Sequence, residues 1–151
     1  NHKINSEYYS LKNDLEEKGI KDPTIKSIAQ SVSNIRKEKL PDYEKIGNAG
    51  SFFKNPIIDK SKLKKIKSLY PDIISYNIGK SNYKIPAGWL IEKCGFKDIK
   101  QKKVSVYEKQ ALVIINLGDA KGIDIYAFSQ KIKETVREKF DILLEEEVNI
   151  I

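Results

Sequence analysis

A chain of 151 residues suits one ordinary domain, or one domain carrying pieces of a neighbour at its ends. Its apolar share of 40% is enough for a core, while the longest apolar runs, such as Ala111 to Ile115, are too short for membrane insertion. The net charge of +7 invites nucleic acid, yet only Arg36 and Arg137 of the 28 basic residues are arginine, the residue behind the commonest specific base contact and the bidentate phosphate fork. The expectation is therefore a lysine-rich solvated surface and no nucleic-acid partner, with lysines that suit anionic small molecules such as nucleotide diphosphates. Asn1-His2-Lys3 leads into polar sequence without the apolar segment of a secretory signal, and a single cysteine, Cys94, cannot form an internal disulfide. Both point to a cytoplasmic, reducing setting.

In chain order, Ser6 to Glu17 reads as a short helix, with Leu11 and Leu15 four apart and Gly19 placed to stop it. Asp22-Pro23 is a helix-start signal, a capping residue followed by proline at the first helical position. Behind it Ile25, Ile28, Ala29, Val32 and Ile35 form one stripe, carrying the helix to about Lys39 before Pro41 blocks continuation. Pro41 to Pro56 is too rich in glycine and too bounded by proline for a helix. Lys60 to Leu69 is the next helix, with Leu63, Ile66 and Leu69 three apart. Pro86 opens another, where Leu90, Ile91 and Cys94 face inward and Gly95 sits at the stop.

Val104 to Tyr107 and Ala111 to Asn116 read as strands, the second nearly all apolar and therefore central. Asp124 is expected to cap a long helix to about Phe140, burying Ile125, Phe128, Ile132 and Val136. Leu143 to Ile151 reads as a last strand, with Leu144, Val148 and Ile150 on one face and Glu145, Glu147 and Asn149 on the other. The fold class is α+β, with helices packed on a small, mostly antiparallel sheet.

The densest stretch is Gly47-Asn48-Ala49-Gly50-Ser51-Phe52-Phe53-Lys54-Asn55-Pro56. Two glycines, two asparagines and a proline describe a tightly shaped loop that can bring backbone close to a ligand. Ser51 lies where its hydroxyl could be presented, beside two aromatic residues able to anchor the loop. By residue type alone this is a structural turn, with neither the G-x-G-x-x-G of a dinucleotide fold nor the G-x-x-x-x-G-K of a phosphate loop. Glu147, by the same measure, is a solvent-exposed carboxylate inside an acidic run.

The run is very similar to the G-N-A-G-S-F-F-K-N-P signature of the UDP-N-acetylenolpyruvoylglucosamine reductases, the MurB family. Further matches follow in order: Arg36 with Lys39-Leu40-Pro41-Asp42, Tyr76, Ala87-Gly88-Trp89-Leu90-Ile91, Gln110-Ala111-Leu112-Val113 with Asn116, Glu138-Lys139-Phe140, and Leu144 to Val148. The resemblance implies a substrate-binding domain of a two-part flavoenzyme. In it NADPH reduces bound FAD, and hydride then passes to the enolpyruvyl double bond of UDP-N-acetylglucosamine enolpyruvate, completing UDP-N-acetylmuramate for peptidoglycan.

Carried over residue by residue, the resemblance makes Ser51 the proton donor to the alkene carbon beside the substrate carboxylate. It makes Glu147 the glutamate that assists at that carboxylate and at the developing enolate. Lys39 matches a lysine contacting the UDP portion, Asn55 and Tyr76 match substrate-contacting positions, and Gln110 a position lining the pocket. Tyr8 or Tyr9 matches a family tyrosine over the uridine. The implied organisation is residues 1–40 as the margin of the FAD-binding domain, 41–141 as the substrate-binding domain, and 142–151 as a return strand toward the FAD-binding domain. The family's FAD-binding half, including an arginine that stabilises the enolate, has no counterpart in these residues, and Asn149 stands where many members have arginine. The alternative reading is a non-catalytic, lysine-rich module binding nucleotides or RNA.

Overall fold

A computed structural model of the chain describes residues 9–99 and 103–151. The chain divides into two units, Asn1–Asp42 and Tyr43–Ile151. In the first, α1 (Tyr9–Glu17) packs on α2 (Ile25–Lys39). Leu11 and Leu15 are buried, as their spacing implies. Gly19 ends α1 at φ +66°, a left-handed conformation that glycine adopts without steric cost. The start expected at Ser6, and with it His2 and Tyr8, lies outside the described residues.

The start of α2 differs from the expectation. Its N-cap is Thr24, whose hydroxyl accepts from the Ser27 N–H at 3.1 Å while the Ser27 hydroxyl accepts from the Thr24 N–H at 2.9 Å. Asp22 cannot close such a box, because the residue three positions on is Ile25, which has no polar group to reciprocate. The apolar stripe of α2 is also less covered than its spacing suggests, with Ile25 69% and Val32 39% exposed. The fully buried position is Ser31, whose hydroxyl bonds the Asp14 carboxylate of α1.

In the second unit β1 (Gly47–Ser51), β6 (Gln110–Asn116) and β5 (Val104–Tyr107) form an antiparallel sheet in the order β1-β6-β5. The apolar β6 is central, as its sequence demands. A second antiparallel sheet joins β2 (Ile57–Asp59), β4 (Asn82–Lys84) and β3 (Tyr76–Asn77) in the order β2-β4-β3. These strands are two or three residues long, too short to carry a readable alternation. The α+β class stands, with two small sheets in place of one.

Three helices complete this unit: α3 (Lys60–Leu69), α4 (Ala87–Lys93) and α5 (Gly122–Phe140), with a 3-10 turn at Phe96–Asp98. α3 has the bounds its pattern predicts, and the Asp59 carboxylate caps it by accepting from the Lys62 N–H at 2.8 Å. α4 packs on β6, and α5 packs on α4, β5 and β6. Between them Ile85, Leu90, Ile91, Ile132 and Val136 are fully enclosed. Phe96 meets Phe128 edge-on at 5.8 Å, and Tyr70, Trp89 and Phe140 form a second aromatic cluster, arrangements that add to plain area burial.

Asp124 is not the N-cap of α5; Lys121 is, and Asp124 is the third helical residue. The Asn116 amide organises the approach, its Oδ1 accepting from Gly118 and Ala120 and its Nδ2 donating to the Ala120 carbonyl. The chain therefore enters the helix at Gly122, and Asp124 reaches back to accept from the Lys121 N–H at 2.8 Å.

The segment 143–151 is also corrected. It forms no strand, only a single antiparallel bridge between Phe53 and Glu146, and it bends at Glu147 and Val148. Ile142 and Leu144 are buried in the core and Val148 is half-buried against it, but Ile150, expected on the same face, is 53% exposed. No ladder grows past the bridge, because Pro56 lacks an N–H, the Phe52 N–H is given to Leu112 of β6, and the chain bends at Glu147 and Val148. No helix among the described residues is long and apolar enough to cross a membrane.

Candidate functional site

The ten residues from Gly47 to Pro56 do not form a free loop. The first five are β1, paired with β6 so that Asn48 lies opposite Ile115 and Ser51 opposite Val113. Three steps on β1 thus span two on β6, which is a β-bulge, and Gly50 inside it has φ +73°. The Asn48 side chain clips the bulge, its Nδ2 donating to the Ile46 carbonyl and its Oδ1 accepting from the Gly50 N–H, each at 3.0 Å. Bulges of this kind re-aim a side chain, and here the exposed residue at the end of the bulge is Ser51.

The chain after Ser51 is clamped from several directions. The Phe52 N–H donates to the Leu112 carbonyl at 2.8 Å, so pairing with β6 runs one residue beyond β1. Phe52 and Phe53 are both buried, their rings 5.1 Å apart and edge-on. The Lys54 N–H donates to the Glu145 carbonyl at 2.8 Å, and the Glu147 N–H donates to the Phe52 carbonyl at 2.9 Å. Lys54 and Glu145 also pair through their side chains. The Pro56 carbonyl accepts from the Ile85 N–H.

Four of the residues singled out in the sequence belong to this assembly. Ser51 and Glu147 are exposed, and their backbones are joined through the Phe52 carbonyl. Asn55 has a structural engagement as well, since its Oδ1 accepts from the Ala87 N–H at 2.8 Å. That satisfies an orphan donor in the first turn of α4, where the cap residue Pro86 has no side-chain oxygen to offer. Gln110 is half-buried at the start of β6, three residues from the partner of Ser51. Its Oε1 lies 3.5 Å from the Leu112 N–H and 3.1 Å from where a Cβ on Gly88 would stand, so a glycine there leaves room for the amide.

The other two lie elsewhere. Tyr76 is 59% exposed on the edge strand β3, in register with Lys84 of β4, which is in turn opposite Ile57 of β2. Ile57, Lys84 and Tyr76 therefore make one solvent-facing row across the second sheet. Lys39 is exposed in the last turn of α2, in the first unit.

Sequence reading passed over Glu146. Its carboxylate takes both oxygens to Lys133 Nζ, at 2.7 and 2.9 Å, and accepts from Gln130 Nε2 at 3.0 Å. Burial opposes its ionisation, but the Lys133 ammonium and the Gln130 amide outweigh that and hold it below the ordinary carboxylate range. A signal existed, because the alternation that sends Glu145 and Glu147 outward sends Glu146 inward with Leu144 and Val148. Cys94 is a free, half-buried thiol that burial pushes up to about 11 against a smaller pull from Lys139, so it is protonated at neutral pH and a poor nucleophile. Among the described residues no group of three His, Cys, Asp or Glu side chains is placed to hold a metal.

The described residues also bear on where a flavin pyrophosphate could sit. In the glycine-flanked approach to α5, the Gly118 and Ala120 N–H groups are bonded to Asn116 and the Lys121 N–H to the Asp124 carboxylate, which would repel an anion there. That segment does not make a pyrophosphate cradle.

Residues 41–151 match the family model for the C-terminal domain of UDP-N-acetylenolpyruvoylglucosamine reductase. The whole chain is 43% identical over 151 residues to the protein of that name from Flavobacterium johnsoniae, and covers 45% of its length. It is 47% identical over 145 residues to the one from Porphyromonas gingivalis, and 39% over 148 residues to the one from Pseudomonas aeruginosa. These alignments take in 96% and 98% of the chain but only 43% and 44% of those relatives, so the chain spans less than half their length. A clamped Gly47–Pro56 run on an α+β scaffold, a family model matching from residue 41 to the end, and full-length similarity to three such proteins agree: the chain belongs to the UDP-N-acetylenolpyruvoylglucosamine reductase family and carries its C-terminal domain.

Proposed function

We propose that this chain is the substrate-binding and proton-donating part of a flavin-dependent reductase that converts UDP-N-acetylglucosamine enolpyruvate to UDP-N-acetylmuramate, using NADPH, for peptidoglycan synthesis. The observation that carries the reading is the clamp that ties Glu147 to the residue after Ser51. A hydroxyl is a weak acid and protonates a carbanion-like carbon only if held within hydrogen-bond reach of it. The bulge at Gly50, the Asn48 clip and the buried Phe52–Phe53 pair supply that rigidity.

In this reading Ser51 donates the proton to the alkene carbon beside the substrate carboxylate. Glu147 acts at that carboxylate and at the enolate that develops there. Asn55 and Gln110 present amide groups to the polar edges of the sugar, Tyr76 contributes ring packing and one hydrogen bond, and Lys39 gives a point cation to the UDP portion. Tyr8 or Tyr9 is the counterpart of the uridine-facing tyrosine. FAD, which supplies the hydride, is assigned to an N-terminal domain of the full-length protein. Residues 1–40 are read as the margin of that domain, 41–141 as the substrate-binding domain, and 142–151 as the segment leading back toward it. The reaction is placed in the cytosol, where its nucleotide-sugar substrate would be met.

The test is direct. Without oxygen, full-length protein containing this chain should oxidise NADPH beyond one equivalent per flavin only when the enolpyruvyl nucleotide-sugar is supplied, and should yield the lactyl ether. NADPH oxidation that ignores the sugar, with no lactyl product, would overturn the reading.

A further inference from the structure

We propose that Glu146, held by Lys133 and Gln130 of α5, is the positioning residue for the Ser51–Glu147 pair, a role that rests on the function just proposed. Glu146 stands between two residues whose backbones grip the Ser51 run from either side. The Glu145 carbonyl takes the Lys54 N–H and the Glu147 N–H gives to the Phe52 carbonyl, with Phe53 and Glu146 directly opposite one another. Whatever holds the backbone of Glu146 therefore sets the register of the clamp.

Among the described residues, the pairs Lys54–Glu145 and Lys133–Glu146 attach this segment to the rest of the unit, and the second is the better covered. The Lys54–Glu145 side chains are 52% and 71% exposed, where pairing is weak and screened by solvent. The Lys133–Glu146 side chains are 19% and 20% exposed, with both carboxylate oxygens engaged and a third bond from Gln130. Lys133 is itself fixed, because its neighbour Ile132 and Val136 one turn on are fully buried in the core. The connection thus runs from the core through α5, across the ion pair, along two residues of backbone, and into the peptide that follows Ser51. Ile142 and Leu144 remain buried without it, so losing the pair loosens the segment's register and leaves its attachment to the core. Misplacement of a reacting group by a fraction of an ångström is costly to rate even when binding survives.

The experiment uses the full-length reductase with Glu146→Lys, Lys133→Glu and the double exchange that restores an ion pair in reverse. Each single variant should slow reoxidation of the reduced enzyme by the enolpyruvyl sugar roughly 10- to 100-fold, while reduction by NADPH proceeds at the unaltered rate. Amide hydrogen exchange of the peptide containing Glu147 should quicken in the singles. The double exchange should bring both exchange and reoxidation back most of the way. Normal reoxidation in the single variants, equal slowing of both half-reactions, or a double exchange that restores protection of Glu147 without restoring rate would each overturn the proposal. An unaltered enzyme that never reduces the sugar would instead overturn the function on which it rests, and the two failures are told apart by that control.

Discussion

The backbone N–H of Glu147 donates to the carbonyl of Phe52 at 2.9 Å, 95 positions earlier in the chain. Through that bond the two residues assigned to chemistry, Ser51 and Glu147, are linked by way of Phe52, the residue after Ser51. A site built this way separates binding from proton transfer, and variants can report on each.

Ser51→Ala in the full-length enzyme should leave NADPH-dependent reduction nearly untouched. Reoxidation by the enolpyruvyl sugar should slow by roughly 10²–10⁴-fold, the usual worth of a general acid. Affinity for the sugar should change little, because the loop is held by backbone bonds that alanine keeps. Stopped-flow measurement of the two half-reactions checks this. A fall in affinity with an unchanged reoxidation rate would mean that Ser51 shapes the site and gives no proton.

Asn55 has two jobs to separate. Removing its Oδ1 leaves the Ala87 N–H without a partner, so Asn55→Ala should destabilise the protein by about 1 kcal/mol, as for loss of a helix cap. Asn55→Asp keeps the acceptor and places a negative charge near a helix N-terminus, so thermal stability should return. If Asn55 also contacts substrate, KM for the anionic nucleotide-sugar should stay raised in the aspartate variant. Recovery of both stability and KM would make Asn55 a cap alone.

Glu146 predicts an acid-sensitive attachment. Its folded-state pKa lies below the ordinary value of 4.5, so the unfolded chain binds its proton more readily. The stabilisation is fully present above about pH 4.5 and is lost as pH falls through the lower folded-state value. Glu146→Gln should therefore be less stable than the unaltered protein at pH 7, and the gap should close on acidification. Paired denaturant titrations across pH 7 to pH 3 measure it. A gap that widens in acid would show the carboxylate to be destabilising.

The isolated chain should be colourless. The N–H groups of its glycine-flanked approach to α5 are taken by Asn116 and Asp124, whose charge would repel a pyrophosphate there. Absorbance after gel filtration is the check, and a stoichiometric yellow flavin retained by these 151 residues would count against the assignment of FAD to another domain.

What the sequence determined by itself are features governed by neighbours within a few positions. The bounds of α3 follow from its apolar spacing and the acidic residue before it, and β6 is central because an apolar run must be covered on both faces. The Gly47–Pro56 run is legible as a candidate site through its resemblance alone, because ten consecutive residues carry it. Local competition already strained this: Asp22 looked like a cap, but Thr24 won because Ser27 could answer it. The rest was decided by tertiary structure. Nothing within a few residues of Asn55 says that its amide caps a helix 32 positions on, and nothing near Glu146 names Lys133 as its partner. The segment 143–151 has strand-like alternation, yet it pairs only around the Phe53–Glu146 bridge, because the Phe52 N–H goes to β6, Pro56 has no N–H to give and the chain bends at Glu147 and Val148. Alternation is a property of one segment. Pairing, capping and ion-pair burial belong to two, and only the folded chain brings the second within reach.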